Sequence, residues 1–245
     1  MKAVQLKIIY ILSVIAVGIV IFIKPIIQNP KYHNFADTHD LFSIPNFWNV
    51  ISNVPFILIG FLGISLVSKQ LNGNQLKSNY LLFFIGIVLT GFGSGYYHLN
   101  PNNDTLIWDR LPMTISFMSF LSIIIGEFIN IQAGRKSLFP MLAIGLFSIA
   151  YWVIFQDLRI YVLVQFLPIV LIPIILSLSK NNTEYKKYFW LIILSYFIAK
   201  LFEEFDLFVF STTFEVISGH TLKHFAASFG PLFFYFFIRA KSIQK

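Results

Sequence analysis

Five side chains in this 245-residue sequence stand at spacings that chemistry uses. His220 and His224, in GHTLKHF, are four residues apart and so share one face of a helix; Ser94 and His98, in GSGYYH, stand in the same relation. Asp109, in WDRLPM, lies shortly before a proline suited to the first turn of a helix. Three imidazoles arriving from two helices can supply three nitrogen ligands to zinc and leave the fourth tetrahedral position for water, the pattern of a catalytic rather than a structural site. Zinc in such a setting makes its water more acidic and polarises a carbonyl. Asp109 could then take up and deliver protons, and the Ser94 hydroxyl could orient the water or stabilise an oxyanion. The chain has no cysteine, so thiolate ligands and disulfides are excluded, and any metal site must be built from His, Asp, Glu and other oxygen donors.

Each of these features also has a plainer reading. A histidine pair four apart also binds haem or caps a neighbouring helix. Ser94, set among Gly91, Gly93 and Gly95, reads as a small packing residue, and Asp109 has Arg110 and Lys223 as possible ion-pair partners. His33 and His39 fall in a polar loop and are expected to be solvated rather than ligating. What favours chemistry is where the elements put the five residues.

Those elements must lie in a bilayer. The sequence is 57% hydrophobic and only 12% charged, about half the roughly 25% usual in soluble proteins. Apolar runs near the 20 or so residues that cross a hydrocarbon core occur eight times: Ile8 to Ile27, Val50 to Val67, Tyr80 to His98, Leu111 to Ile131, Leu138 to Phe155, Tyr161 to Leu178, Tyr188 to Phe205 and His220 to Ile238. Breaker-rich connections separate them: NGNQ, NPNND, AGRK and SKNNTEYKK. The expected fold is an all-α polytopic membrane helix bundle with a seven-span core and one N-terminal transmembrane helix. The first span has a basic start like that of a signal peptide, but it is long and ends in FIKPIIQNP without a small-x-small cleavage site. It is therefore expected to remain as an anchor over residues 1–30, with the core domain over 31–245.

An even number of spans puts both termini on one side. Of the 18 lysines and arginines, twelve then fall on that side and six on the other; of the 11 acidic residues, two and nine. Basic loops stay in the cytoplasm, so both termini are expected there. The same topology gathers Ser94, His98, Asp109, His220 and His224 at one depth, towards the outer face. An ionisable group within a span is costly and marks a functional candidate. The net charge of +7 thus reports membrane orientation, and no nucleic-acid partner is expected.

These motifs resemble the alkaline ceramidases, within the wider superfamily of seven-span membrane hydrolases that also holds the adiponectin and progestin receptors. The resemblance lies in Ser94 and His98 of GSGYYH, Asp109 of WDRLPM, His220 and His224 of HTLKH, and the segment NFWNVISN from Asn46 to Asn53. It covers the core from about Asn46 onward. It implies that His98, His220 and His224 bind zinc, that Asp109 and Ser94 serve the attacking water and the oxyanion, and that the substrate is a membrane lipid of the ceramide type. It also implies a calcium site before the first core span, for which Asp37, Asp40 and Asn46 are a partial counterpart with hard oxygen ligands but a different spacing. The N-terminal helix departs from the family pattern.

The leading expectation is a zinc-dependent amidase that hydrolyses the N-acyl bond of ceramide or a related lipid amide. Two other classes compete with it. A ligand-responsive seven-span receptor would be favoured by a long soluble signalling tail. A rhomboid-like intramembrane serine protease would use Ser94 with a later histidine, but it leaves Asp109 and two histidines without a role, and FGSG lacks the first glycine of GxSG.

Overall fold

A computed structural model describes residues 3–243; Lys2 and Lys245, which contribute to the charge asymmetry, lie outside the described residues. The α-helices are α1 (Ala3–Phe22), α2 (Phe47–Ile51), α3 (Val54–Gln70), α4 (Lys77–Leu99), α5 (Asn103–Phe128), α6 (Ile131–Phe155), α7 (Arg159–Leu178), α8 (Lys186–Glu204), α9 (Asp206–Thr212) and α10 (Gly219–Ile243). Among the described residues there is no strand, so the chain is an all-α bundle. Counting α2 and α3 together as Phe47–Gln70, five helices are long and apolar enough to cross a membrane; the others are α4, α5, α6 and α7. The remaining expected spans correspond to α1, α8 and α10. The apolar stretch of α1, Leu6–Phe22, is shorter, whereas α8 and α10 carry charge at their ends, Lys186, Lys187, Glu203 and Glu204 in one and Lys223, Arg239 and Lys241 in the other.

Two boundaries differ from the sequence expectation, each for a local reason. AGRK is not a loop: it lies in the first turns of α6, whose N-terminus is capped by the Asn130 side chain accepting from the Ala133 N–H. Helix α5 starts two turns before the apolar run. Asn102 accepts from the backbone N–H groups of Asp104 and Thr105, while the Thr105 hydroxyl accepts from the Asn102 N–H, a reciprocal cap that satisfies orphan donors. Asp109 therefore lies well inside α5, and Pro112 is an interior proline of that helix.

Helix α4 packs between α3 and α5; α5 also meets α6 and α7, and α10 lies against α8 and α3. In lipid the drive for such packing is close contact rather than expulsion of water, so small residues mark the seams. A Cβ on Gly93 would run into the Trp108 carbonyl oxygen, and one on Gly91 would meet Ile57 and the Asn53 carbonyl. Away from the end where α5 and α10 begin, Phe83, Phe84, Phe120, Phe189, Phe234 and Phe237 fill the middle of the bundle. At the opposite end the buried Glu127 accepts from the Tyr80 hydroxyl, Lys241 and the Asn182 amide, tying α4, α5 and α10 together.

Helix α1 lies against α7. The segment after it is held by Asp157, whose carboxylate accepts from the Ile26 N–H at 3.1 Å and from the Arg159 N–H and side chain at 3.0 and 2.8 Å. Burial pushes the Asp157 carboxyl up, but hydrogen bonds from Arg159 and Ile26 outweigh it and hold the group below its ordinary value.

Candidate active site

The last turn of α4 and the first turns of α10 bring three imidazoles together. His98, His220 and His224 are all buried, and one ligand nitrogen from each lies within 4.8 Å of the others. His98 Nε2 and His220 Nε2 face each other at 3.2 Å. The ring centroids of His224 stand 5.0 Å from His98 and 4.8 Å from His220. Such a cluster fits a cation better than it fits itself, because each imidazole must turn a lone pair or a proton towards its neighbours. Three nitrogens on a tetrahedral zinc, each about 2.0–2.1 Å from it, would stand roughly 3.4 Å apart.

For His224 the surroundings select the nitrogen that the ring offers. Ser52 Oγ lies 2.7 Å from His224 Nδ1 and 3.2 Å from the Asn49 carbonyl oxygen. With its one proton given to Asn49, Ser52 accepts the Nδ1–H of His224, which leaves the Nε2 lone pair for a metal. Asn49 in turn accepts from the Thr221 hydroxyl at 3.0 Å, fixing α2 to α10. The His220 N–H donates to Asp206 Oδ1 at 2.7 Å, and Asp206 Oδ2 accepts from the Ala36 N–H at 2.9 Å. Asp206 thus holds α9, α10 and the loop before α2 as one unit. From that loop Phe35 lies over the site, its ring 4.3 Å from His220 and 4.8 Å from His98.

Ser94, Asp109 and His224 open into one cavity of about 300 Å³ bounded by α3, α4, α5, α7, α8 and α10. The Ser94 hydroxyl hydrogen-bonds the Asp109 carboxyl. Ser94 is one turn before His98, and the bare Gly93 lets the Trp108 backbone approach α4 closely enough for that contact. Thus all five residues singled out in the sequence meet at one end of the bundle. Among the described residues Asp109 has no ion pair with Arg110 or Lys223; the Lys223 ammonium is given to Glu203 at 3.1 Å, and Glu203 also pairs with Lys200. Apolar and weakly polar groups, including Phe56, Thr90, Met113, Phe166 and Ala227, form the deeper walls.

The other sequence candidates fall elsewhere. Asp37 is buried, with Oδ1 taken by the N–H and Nδ1 of His39, while Oδ2 has no hydrogen-bond partner. Asp40 is exposed, and the Asn46 amide donates to the His98 carbonyl. No group of three His, Asp or Glu side chains that could share an ion includes Asp37 or Asp40 among the described residues. His33 does more than meet solvent: its two ring nitrogens bridge the Tyr97 hydroxyl and the Asn103 side chain, each at 2.9 Å. Sequence reasoning did not single out Ser52, Asn49, Asp206 or Phe35. For Ser52 and Asn49 the signal was present in NFWNVISN, a polar stretch that enters an apolar span.

A family model described as Ceramidase matches residues 41–240 of the chain. The matched stretch holds Ser94, His98, Asp109, His220 and His224, and it excludes α1, Asp37 and Asp40.

Proposed function

The chain belongs to the ceramidase family, and from that premise we propose that it is a zinc-dependent amidase working within the bilayer. It hydrolyses the N-acyl bond of ceramide or a related lipid amide to a fatty acid and an amine. The observation that carries the metal part is the buried His98, His220 and His224 cluster, whose ligand nitrogens lie within 4.8 Å and whose His224 is set by Ser52 to offer Nε2. Zinc held by these three residues supplies Lewis acidity to the amide carbonyl and makes water a better nucleophile at neutral pH.

The chain's own groups do the rest. Asp109 takes a proton from the attacking water as the new C–O bond forms, and gives it to the amide nitrogen as the C–N bond breaks. Ser94 holds the Asp109 carboxylate in position through its hydroxyl, and it can turn the same hydroxyl towards the developing oxyanion. The apolar walls hold the acyl chain, so a substrate that never leaves the membrane reaches the carboxylate from within it. Both termini are cytoplasmic in this reading and the site faces the outer side. These steps need no calcium at Asp37, Asp40 and Asn46.

The test is metal content and fatty-acid release from a short-chain ceramide, measured on the same purified samples in detergent. Wild type should contain stoichiometric zinc and be active. A His220→Ala, His224→Ala double variant should lose both, while His33→Ala should keep its zinc. Equal zinc in wild type and the double variant would remove the metal part of the reading.

A further inference from the structure

Arg110 is the one cationic residue of the cavity that forms no ion pair among the described residues. It is 6% exposed, and its Nη1 is buried with no hydrogen-bond partner. No carboxylate among the described residues forms an ion pair with it. What surrounds it instead are ring faces: its Cζ lies 4.7 Å from the Trp152 ring, 4.9 Å from Tyr161 and 5.3 Å from Tyr32. Aromatic faces stabilise a cation, but they leave the in-plane N–H donors of a guanidinium unused. A buried charge without a paired counterion is strongly disfavoured, and a guanidinium does not escape by losing its proton.

Its neighbours in the cavity sharpen the imbalance. Arg110, Lys200 and Lys223 line the space against only Glu203 and Asp109; Glu203 is shared by the two lysines, and Asp109 is turned to Ser94. These charged groups sit where α5 and α10 begin and α8 ends, whereas Thr90, Met113, Phe166 and Ala227 lie about a turn or more deeper along their helices. A lipid amide in this cavity therefore puts its tail among the deeper walls and the rest of the molecule at the cationic end.

Resting on the amidase reading above, we propose that Arg110 anchors an anionic group on the amine half of the substrate, a carboxylate, phosphate or sulfonate, through the flat fork of donors that such groups match. The protein is then selective for an acidic N-acyl lipid over neutral ceramide, and Arg110 is the residue that sets the choice.

The experiment compares three amides with one acyl chain: N-acyl sphingosine, its 1-phosphate, and an N-acyl amino acid with a free carboxylate. The expected result is a kcat/KM at least tenfold higher on one of the two anionic amides, the better arm identifying which anion is preferred. Arg110→Gln and Arg110→Lys should each cut that ratio at least tenfold, chiefly through KM. If Arg110→Gln does not fold, Arg110→Lys carries the same test, since it keeps a cation over the rings but not the fork. A second readout needs no activity. In metal-stripped protein, an anionic N-alkyl analogue that cannot be hydrolysed should raise the melting temperature of wild type and not of the variant, while its neutral counterpart should act on both alike.

Hydrolysis of neutral ceramide with no anionic preference, or an equal loss on all three amides in the variants, would overturn the proposal; the latter is what binding of the common fatty-acid product would give. Arg110-dependent binding of the anionic analogue without hydrolysis of any amide would instead uphold the anchor and remove the amidase reading.

Discussion

At the scale of single residues, the proposed chemistry divides between groups that would hold a metal and groups that would handle protons. The three histidines were legible because their spacing and their cost within a span both marked them. The residues that orient them were not. Ser52 and Asp206 act on His224 and His220 from other elements of the fold, and no local spacing announces such a pairing. The division of labour gives a prediction. With zinc held by the histidines alone, Asp109→Asn should leave zinc content unchanged and lower amide hydrolysis by about 10²–10⁴-fold, the usual worth of a positioned proton-transfer group. Ser94→Ala should be milder, since a hydroxyl that positions Asp109 and shares the oxyanion is worth at most roughly 2.7–4 kcal/mol. The two rates and the zinc content are measured on the same preparations. An inactive Ser94→Ala beside a nearly normal Asp109→Asn would point to a serine nucleophile and against proton transfer by Asp109.

At the scale of elements, the site exists because α4 and α5 approach closely where Gly93 faces the Trp108 carbonyl. Hydropathy put the start of α5 near Leu111, because the polar NDT of its first turn lies outside the apolar run. The reciprocal cap of Asn102 and Thr105 moves the start to Asn103 and sets Asp109 inside a rigid helix, facing Ser94. A methyl group on Gly93 cannot coexist with that carbonyl, so α5 must move away, and a displacement of even 1 Å at a reacting group can lower a rate by about 10²-fold. Gly93→Ala should therefore lower kcat by on the order of 10² with zinc retained. Gly95→Ala is the control, because a Cβ there meets only the Val50 carbonyl oxygen at an ordinary 3.9 Å. Steady-state kinetics on both variants decides it: equal effects would mean that helix flexibility, and not the close approach, is what Gly93 provides.

At the scale of the whole molecule, composition made the helical membrane bundle legible, and alternating loop charge suggested its orientation. The number of apolar runs matches the long helices, yet α8 and α10 fall outside the strictest apolar windows because they bring charge to the cavity and to the far end: Glu203 and Lys223 at one, Lys241 against Glu127 at the other. Hydropathy alone cannot tell such a working helix from a surface one. Orientation is decided by experiment, and the absence of cysteine makes it direct, since each introduced thiol is the only one present. Asp104 is exposed at the end that holds the histidines, and Asn72 is exposed in the turn between α3 and α4 at the opposite end. Both are substituted by cysteine, one at a time, and intact cells are treated with a thiol reagent that cannot cross the membrane. The excess of basic residues beside Asn72, including Lys69 and Lys77, should keep that loop in the cytoplasm, so Asp104→Cys should be labelled and Asn72→Cys only after lysis. The reverse pattern would place the histidines, Asp109 and Arg110 on the cytoplasmic side, and the lipid whose amide is cleaved would then have to be drawn from the inner leaflet.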